Sequence, residues 1–147
     1  MPADAAIRVA LALGASAAVA FAPQVLVDST AREAAELPRM PFDELLRHLK
    51  RVLWLEGQAM TSLVEDVGAV PSGASTQIEV HVGAQEKGDV MEAEMLRTAV
   101  DAARGAGSPE LSIDVRVWPG KDHNVVTALR DGGELHDILR RWCGGEE

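Results

Sequence analysis

Three residues in the second half of the sequence have side chains suited to proton transfer: Glu86, Asp89 and His123. A carboxylate beside an imidazole can orient the ring and stabilise its charged form, so that the ring can accept and return a proton. The spacing leaves two interpretations open. The residues form a catalytic acid–histidine pair, or Asp89 caps a helix and His123 is a solvated turn residue.

The elements that would position these side chains are a strand, a helix and a second strand. Residues 77–82 alternate polar and apolar side chains and are rich in β-branched types, and a second strand is predicted at residues 111–118. Between them Asp89 is predicted to be a helix N-cap, with Glu92 completing a capping box, and the helical pattern runs to Gly105. Strands joined by one crossover helix lie parallel, so both acids and the histidine should meet at the carboxyl edge of the sheet.

The rest of the chain is predicted to be helical apart from one buried strand at residues 17–22, which follows a helix that ends at Gly14. Ser29 or Thr30 should cap the second helix, and Pro41 suits the first turn of the third. The predicted helices outside the central stretch are at residues 3–13, 31–37, 41–56, 58–67 and 125–143, the last broken at 131–133.

Length and composition predict one domain, spanning residues 1–147, with a sizeable core. The net charge of −9 argues against nucleic acid or an anionic membrane surface as a partner. The apolar run 9–22 is too short to span a bilayer. A single cysteine, Cys143, excludes an internal disulfide, and no Cys/His spacing suits a zinc site, so neither a metal nor a cofactor is expected.

The first 22 residues allow two interpretations. The apolar run after Arg8 imitates a secretory signal peptide, which would make the mature protein secreted after removal of residues 1–22. Asp4 near the start and Gly14 within the run are unusual for a signal peptide. We therefore predict that this stretch is a retained helix and strand of a cytoplasmic protein.

The order strand, acid, helix, strand, Pro-Gly turn, histidine and terminal helix resembles the last third of an α/β-hydrolase of the esterase-like kind. Residues 5–15 look like the helix behind the nucleophile, and residues 19–24 look like the next strand. This resemblance implies a three-layer α/β fold with about three mostly parallel strands flanked by helices. It also implies that His123 is the triad histidine and Asp89 the triad acid, with Glu86 as the rival acid.

The nucleophile of that family sits in a G-x-S-x-G elbow, and this sequence contains none. Ser16, within Gly14–Ala18, resembles a degraded elbow, but a helix is predicted before it and a strand after it, the reverse of an elbow. The serines without elbow context are Ser29, Ser62, Ser72, Ser75, Ser108 and Ser112. The resemblance therefore implies a remnant acid–histidine pair without efficient activity on its own.

Without the elbow strand, the predicted strand 17–22 should lie at the edge of the sheet. It is the most apolar of the three strands, and an apolar edge invites another strand to add to it. The sequence thus predicts homo-oligomerisation, a strand-adding protein partner or aggregation, unless residues 1–13 cover the edge. The second hypothesis for function is accordingly a non-catalytic binding or assembly module.

Overall fold

The computed structural model describes residues 3–40 and 43–144. Within these ranges the elements, in chain order, are α1 (Ala3–Leu13), β1 (Ala17–Phe21), α2 (Ser29–Ala34), α3 (Asp43–Leu55), α4 (Leu63–Gly68), β2 (Gln77–Gly83), α5 (Lys87–Gly105), β3 (Ser112–Trp118), α6 (Val125–Gly132) and α7 (Glu134–Cys143). Among these described helices none is both long enough and apolar enough to cross a membrane.

The sheet consists of the three strands in the order β1-β2-β3, and both pairings are parallel. The register places Phe21 beside His81 and His81 beside Arg116. Parallel neighbours need crossover connections, and the helical segments between the strands supply them. The predicted parallel α/β fold is confirmed.

Side-chain alternation along the strands divides the core between the two faces of the sheet. Ala18, Ala20 and Val80 pack against α1, α4 and α5, which contribute the fully buried Ile7 and Leu63 among others. The opposite face packs against α6 and α7; its buried residues are Ala22, Val125, Leu129 and Ile138. Helices on both faces complete the predicted three-layer arrangement.

The predicted first helix and first strand are confirmed, with Gly14 at φ +63° between them. The second helix starts at Ser29 because Asp28 accepts hydrogen bonds from the N–H groups of Thr30 and Ala31. The prediction of Ser29 or Thr30 as the cap was therefore wrong.

The stretch between α2 and β2 contains two separate helices. Pro41, predicted in the first turn of the longer one, lies outside the described residues, and the described helix ends at Leu55 just before Gly57 at φ +71°. The helix predicted at 58–67 begins only at Leu63, because Ser62 and Glu65 form a capping box there.

His81 lies in the middle of the sheet and is fully buried between the rings of Phe21 and Trp118. Trp118 Nε1–H donates to His81 Nδ1 (2.9 Å), so His81 Nε2 carries the proton that faces Glu79 Oε1 at 2.6 Å. Burial lowers the pKa of His81, opposed by Glu79. His81 is thus part of the packed sheet, and these contacts fix Trp118 at the point where the chain turns toward His123.

Candidate active site

Two loops meet at the carboxyl edge of the sheet, one after β2 and one after β3. The N–H of Ala84 donates to the carbonyl of Trp118, and the N–H of Gln85 donates to the carbonyl of Lys121, each at 3.0 Å. A Cβ atom on Gly83 would overlap the carbonyl oxygens of the β3 loop, so only glycine permits this approach. The backbone thus brings the loop that carries His123 next to the first turn of α5.

Asp89 and His123 are in direct contact at this edge: His123 Nδ1 lies 2.7 Å from Asp89 Oδ2. The Asp89 residue is 9% exposed, whereas 53% of the His123 side chain is exposed. An ionised carboxylate only accepts hydrogen bonds, so Nδ1 is the donor, and the neutral ring then has its lone pair on Nε2. The geometry leaves Nε2 as the atom able to accept a proton from another group.

The surroundings of the Asp89 carboxyl group disfavour its ionised form. Burial raises the pKa of Asp89, while the hydrogen bond and charge of His123 oppose the shift; Glu86 raises this pKa further and Arg32 lowers it. The folded-state pKa lies above the ordinary value. At pH values between the two, the folded chain therefore holds a proton that the unfolded chain has lost. The contribution of Asp89 to the free energy of unfolding decreases as the pH rises through that interval.

The structure corrects the predicted cap of α5. The N-cap is Glu86, whose side chain accepts from the N–H of Gly88 at 3.4 Å, and the helix starts at Lys87. Asp89 lies in the first turn instead, which leaves its carboxylate directed at His123. Among the described hydrogen bonds, those of Glu86 do not include His123, so the geometry brings Asp89 rather than Glu86 to the histidine.

The predicted capping-box role of Glu92 was also wrong, because its side chain turns into the core. Glu92 is 2% exposed; its Oε1 accepts from Arg32 Nη1 at 2.7 Å and its Oε2 accepts from the N–H groups of Val25 and Leu26 at 2.6 and 3.0 Å. Arg32, itself 4% exposed, also donates to the carbonyls of Leu26 and Pro38 at 2.5 and 2.9 Å.

Sequence reasoning missed this buried ion pair. The two residues are 60 positions apart, and Arg32 has no pattern around it that would single it out. The only signal is Glu92 itself, which lies three residues after Asp89 and so on the same side of α5. The pair ties the segment after β1 to the helix turn that holds Asp89.

A cavity of about 340 Å³ opens beside the Asp89–His123 pair, between the start of α5 and the segment after β1. This volume lies within the range of ligand pockets. The residues that line it are Gln24, Arg32, Pro38, Arg39, Met40, Glu86, Gly88, Asp89, Glu92 and His123. Within residues 3–40 and 43–144, no three His, Cys, Asp or Glu side chains are grouped so as to hold a metal ion.

Within the described part of the chain, no hydrogen bond joins His123 to a serine. Ser16 lies just before β1, at the amino edge of the sheet and therefore at the opposite end from His123. Ser62 caps α4, and the hydroxyls of Ser72 and Ser108 donate to backbone carbonyls. The described chain thus brings together the predicted acid and histidine without a serine beside them.

The chain was compared with protein families, with curated proteins and with solved structures. No protein-family model matches the chain, and no curated protein matches it. A solved structure of an esterase from Pyrococcus furiosus aligns with a TM-score of 0.40 and 17% identity, over 87% of this chain and 45% of the esterase. This chain thus spans less than half the length of that esterase, and its α/β architecture is established by its own strand order and flanking helices.

Proposed function

We propose that residues 1–147 form a single α/β-hydrolase-like domain, corresponding to the C-terminal part of that fold, with the acid–histidine pair of a serine-type ester or acyl hydrolase. The observation that supports this most is the 2.7 Å contact between Asp89 and His123 beside a cavity at the carboxyl edge of the sheet. In this role His123 Nε2 takes the proton of a nucleophile hydroxyl and passes it to the leaving group. Asp89 holds the ring and stabilises its charged form.

The proposal requires a nucleophile from outside the described residues. The position of α1 indicates where in the fold that nucleophile would lie. Helix α1 packs on β1 after the short connection 14–16, so the two run antiparallel and the first turn of α1 lies toward the carboxyl edge. A nucleophile that immediately precedes α1, or one on a strand added beside β1, would reach the same edge as His123. The chain on its own should therefore have an incomplete triad.

We accordingly expect the purified chain to release no burst of nitrophenol from p-nitrophenyl acetate. Its steady rate should equal that of the His123→Ala variant, because an acid–histidine pair without a nucleophile and an oxyanion hole accelerates acyl transfer little. Stopped-flow absorbance measures both quantities. A stoichiometric burst that Ser16→Ala abolishes would contradict this expectation and identify Ser16 as a nucleophile.

A second candidate function, a non-catalytic assembly module, is favoured by the free edge of β1. The N–H of Gln77 donates to the carbonyl of Ser16, and the N–H of Ala22 donates to the carbonyl of His81. The N–H and C=O groups of successive residues in a strand point to opposite sides, so those of Ala17, Val19 and Phe21 point away from β2. Within the described part of the chain, these outward-pointing groups have no backbone hydrogen-bond partner.

The arrangement of α1 and the contrast with the other edge strengthen this candidate. Ile7 and Ala10 of α1 pack with Ala18 and Ala20, so the helix lies on the face of the sheet. The opposite edge strand, β3, carries charged residues, including Arg116, and charged side chains discourage strand addition. The edge of β1 has no charged residue. If the module assembles, it should do so through β1.

For this candidate we expect sedimentation velocity to show an average mass that rises with protein concentration. Val19→Lys should reduce that association, because a charge on an edge strand opposes pairing with another strand. Asp114→Lys on β3 is the matched control and should leave association unchanged. A single monomeric species at every concentration would argue against the assembly function.

A further inference from the structure

The cavity beside His123 is lined by a guanidinium group that the proposed proton transfer does not use. This group belongs to Arg32, which is 4% exposed. Its Nε donates to the carbonyl of Pro38, and its Nη1 donates to the carbonyl of Leu26 and to Glu92 Oε1. These three hydrogen bonds fix the position and the plane of the guanidinium before any ligand binds, which lowers the entropic cost of binding to it.

The remaining nitrogen of this guanidinium, Nη2, is a hydrogen-bond donor with accessible surface. Among the described residues, no hydrogen bond joins Nη2 to an acceptor. In the same part of the chain, the fully buried side-chain atoms without a partner belong to Asp4, Glu134 and Trp142. Arg32 Nη2 is not one of them, so it keeps accessible surface, and Arg32 lines the cavity. A guanidinium N–H that is open to a cavity is suited to bind an anionic oxygen there.

A second cation lines the same cavity. Arg39 is exposed, and within residues 3–40 and 43–144 it forms neither an ion pair nor a side-chain hydrogen bond. Its neighbours Pro38 and Met40 supply apolar surface to the cavity. The cavity therefore offers two guanidinium groups to the polar end of a ligand and an apolar wall to the rest of it.

The negative charges of the lining determine which anion fits. Glu92 is satisfied by its ion pair and by two backbone N–H groups, and Asp89 contacts His123. Glu86 adds a third carboxylate to the lining. These groups repel each further negative charge that a ligand brings. A carboxylate, with one charge, is therefore favoured over a phosphate monoester, which carries a charge of about −1.5 to −2 at pH 7.

We propose that this cavity is a binding site for a carboxylate carried on a short aliphatic chain. One carboxylate oxygen accepts from Arg32 Nη2, the other faces the guanidinium of Arg39, and the chain lies against Pro38 and Met40. For the proposed hydrolase this makes the preferred substrate an ester or other acyl compound that also bears a carboxylate. Only this last step rests on the proposed function, and the binding site itself does not.

The test is a titration of the chain with pentanoate, pentanamide and butyl phosphate, followed by NMR of the methionine methyl groups and of the arginine guanidinium groups. Pentanoate should shift the signals of the Met40 methyl and the Arg32 guanidinium to saturation. The methyl of Met60, outside the cavity lining, should not shift. Pentanamide should bind about tenfold or more weakly, because hydrogen bonds to an ionised acceptor are roughly twice as strong as neutral ones. Butyl phosphate should also bind more weakly than pentanoate.

Variants of the lining locate the site. Arg39→Gln should weaken pentanoate binding by about two- to fivefold, the range expected for one exposed ion pair, and leave pentanamide binding unchanged. Arg97→Gln, at an exposed arginine of α5 outside the lining, is the matched control and should change neither. Glu86→Gln should tighten pentanoate binding, because it removes a negative charge from the lining. The role of Arg32 is measured in the parent chain, because replacing it would break its buried ion pair.

The proposal is overturned if the Met40 signal does not shift to saturation, or if pentanamide or butyl phosphate binds as tightly as pentanoate. It is also overturned if Met40 shifts while the Arg32 guanidinium does not, or if Arg39→Gln has no larger effect than Arg97→Gln. The ring tautomer of His123 in the ligand-free chain tests the proposed function separately. Pentanoate binding by a chain whose His123 tautomer does not depend on Asp89 would support the site and contradict the catalytic role.

Discussion

Deletion of residues 1–22 should leave a chain that does not fold. These residues supply Ile7, Ala10, Ala18 and Ala20 to the larger core cluster, and β1 pairs along β2. Loss of a single buried Ile side chain costs about 2–5 kcal/mol, and the free energy of unfolding of a whole domain is about 5–15 kcal/mol. Circular dichroism and urea denaturation of the chain beginning at Pro23 test this expectation.

Two point variants on α1 measure how much buried and exposed residues of this helix contribute to the free energy of unfolding. Ile7→Ala should lower the free energy of unfolding by about 2–5 kcal/mol, because Ile7 is fully buried. Leu13→Ala, at a side chain that is 78% exposed on the same helix, should change it by less than about 0.5 kcal/mol. A stable monomer beginning at Pro23 would contradict this prediction and support removal of residues 1–22 as a signal peptide.

The second large effect is expected at Glu92. Both of its oxygens act as acceptors, one for Arg32 and one for two backbone N–H groups, and glutamine has only one acceptor oxygen. Glu92→Gln must therefore give up Arg32 or the backbone of residues 25–26, and it leaves Arg32 buried without its counter-charge. Breaking a buried ion pair on one side costs about 3–5 kcal/mol, which urea denaturation would measure.

The matched control is Glu94→Gln, two residues away on the exposed side of α5, where the carboxylate pairs with Arg97 at the surface. That change should cost less than about 1 kcal/mol. Hydrogen exchange at the N–H groups of Val25 and Leu26 should accelerate in the Glu92 variant and not in the control. Similar losses in both variants would show that the Arg32–Glu92 pair does not anchor this segment.

Local sequence patterns were sufficient to predict the strand–helix–strand unit that positions Asp89 and His123. The alternation at residues 77–82 and the helical spacing after Asp89 identified a parallel strand–helix–strand unit, and the Pro-Gly turn identified where His123 follows β3. These features depend on residues that are close in sequence, where periodicity and turn chemistry act directly. The contact between Asp89 and His123 follows from the same unit, because parallel strands bring their following loops to one edge.

The start of α5 and the buried ion pair could not be predicted in this way. Glu86 caps the helix because the loop after β2 is fixed by its bonds to the β3 loop, a tertiary constraint that local capping rules do not include. The position of Arg32 depends on the path of the segment after β1, which no periodic pattern describes. Both differences arise where distant parts of the chain meet.

The central claim is that Asp89 orients His123 so that Nε2 is available as a base. The most direct test is the ¹⁵N NMR spectrum of the His123 ring in its neutral form, in the parent chain and in Asp89→Ala and Glu86→Gln variants. In the parent chain the proton should reside on Nδ1, with Nε2 unprotonated, because the carboxylate accepts from Nδ1. Asp89→Ala should convert this into a mixture of tautomers, and Glu86→Gln should leave it unchanged. A His123 spectrum that Asp89→Ala does not alter would contradict the account.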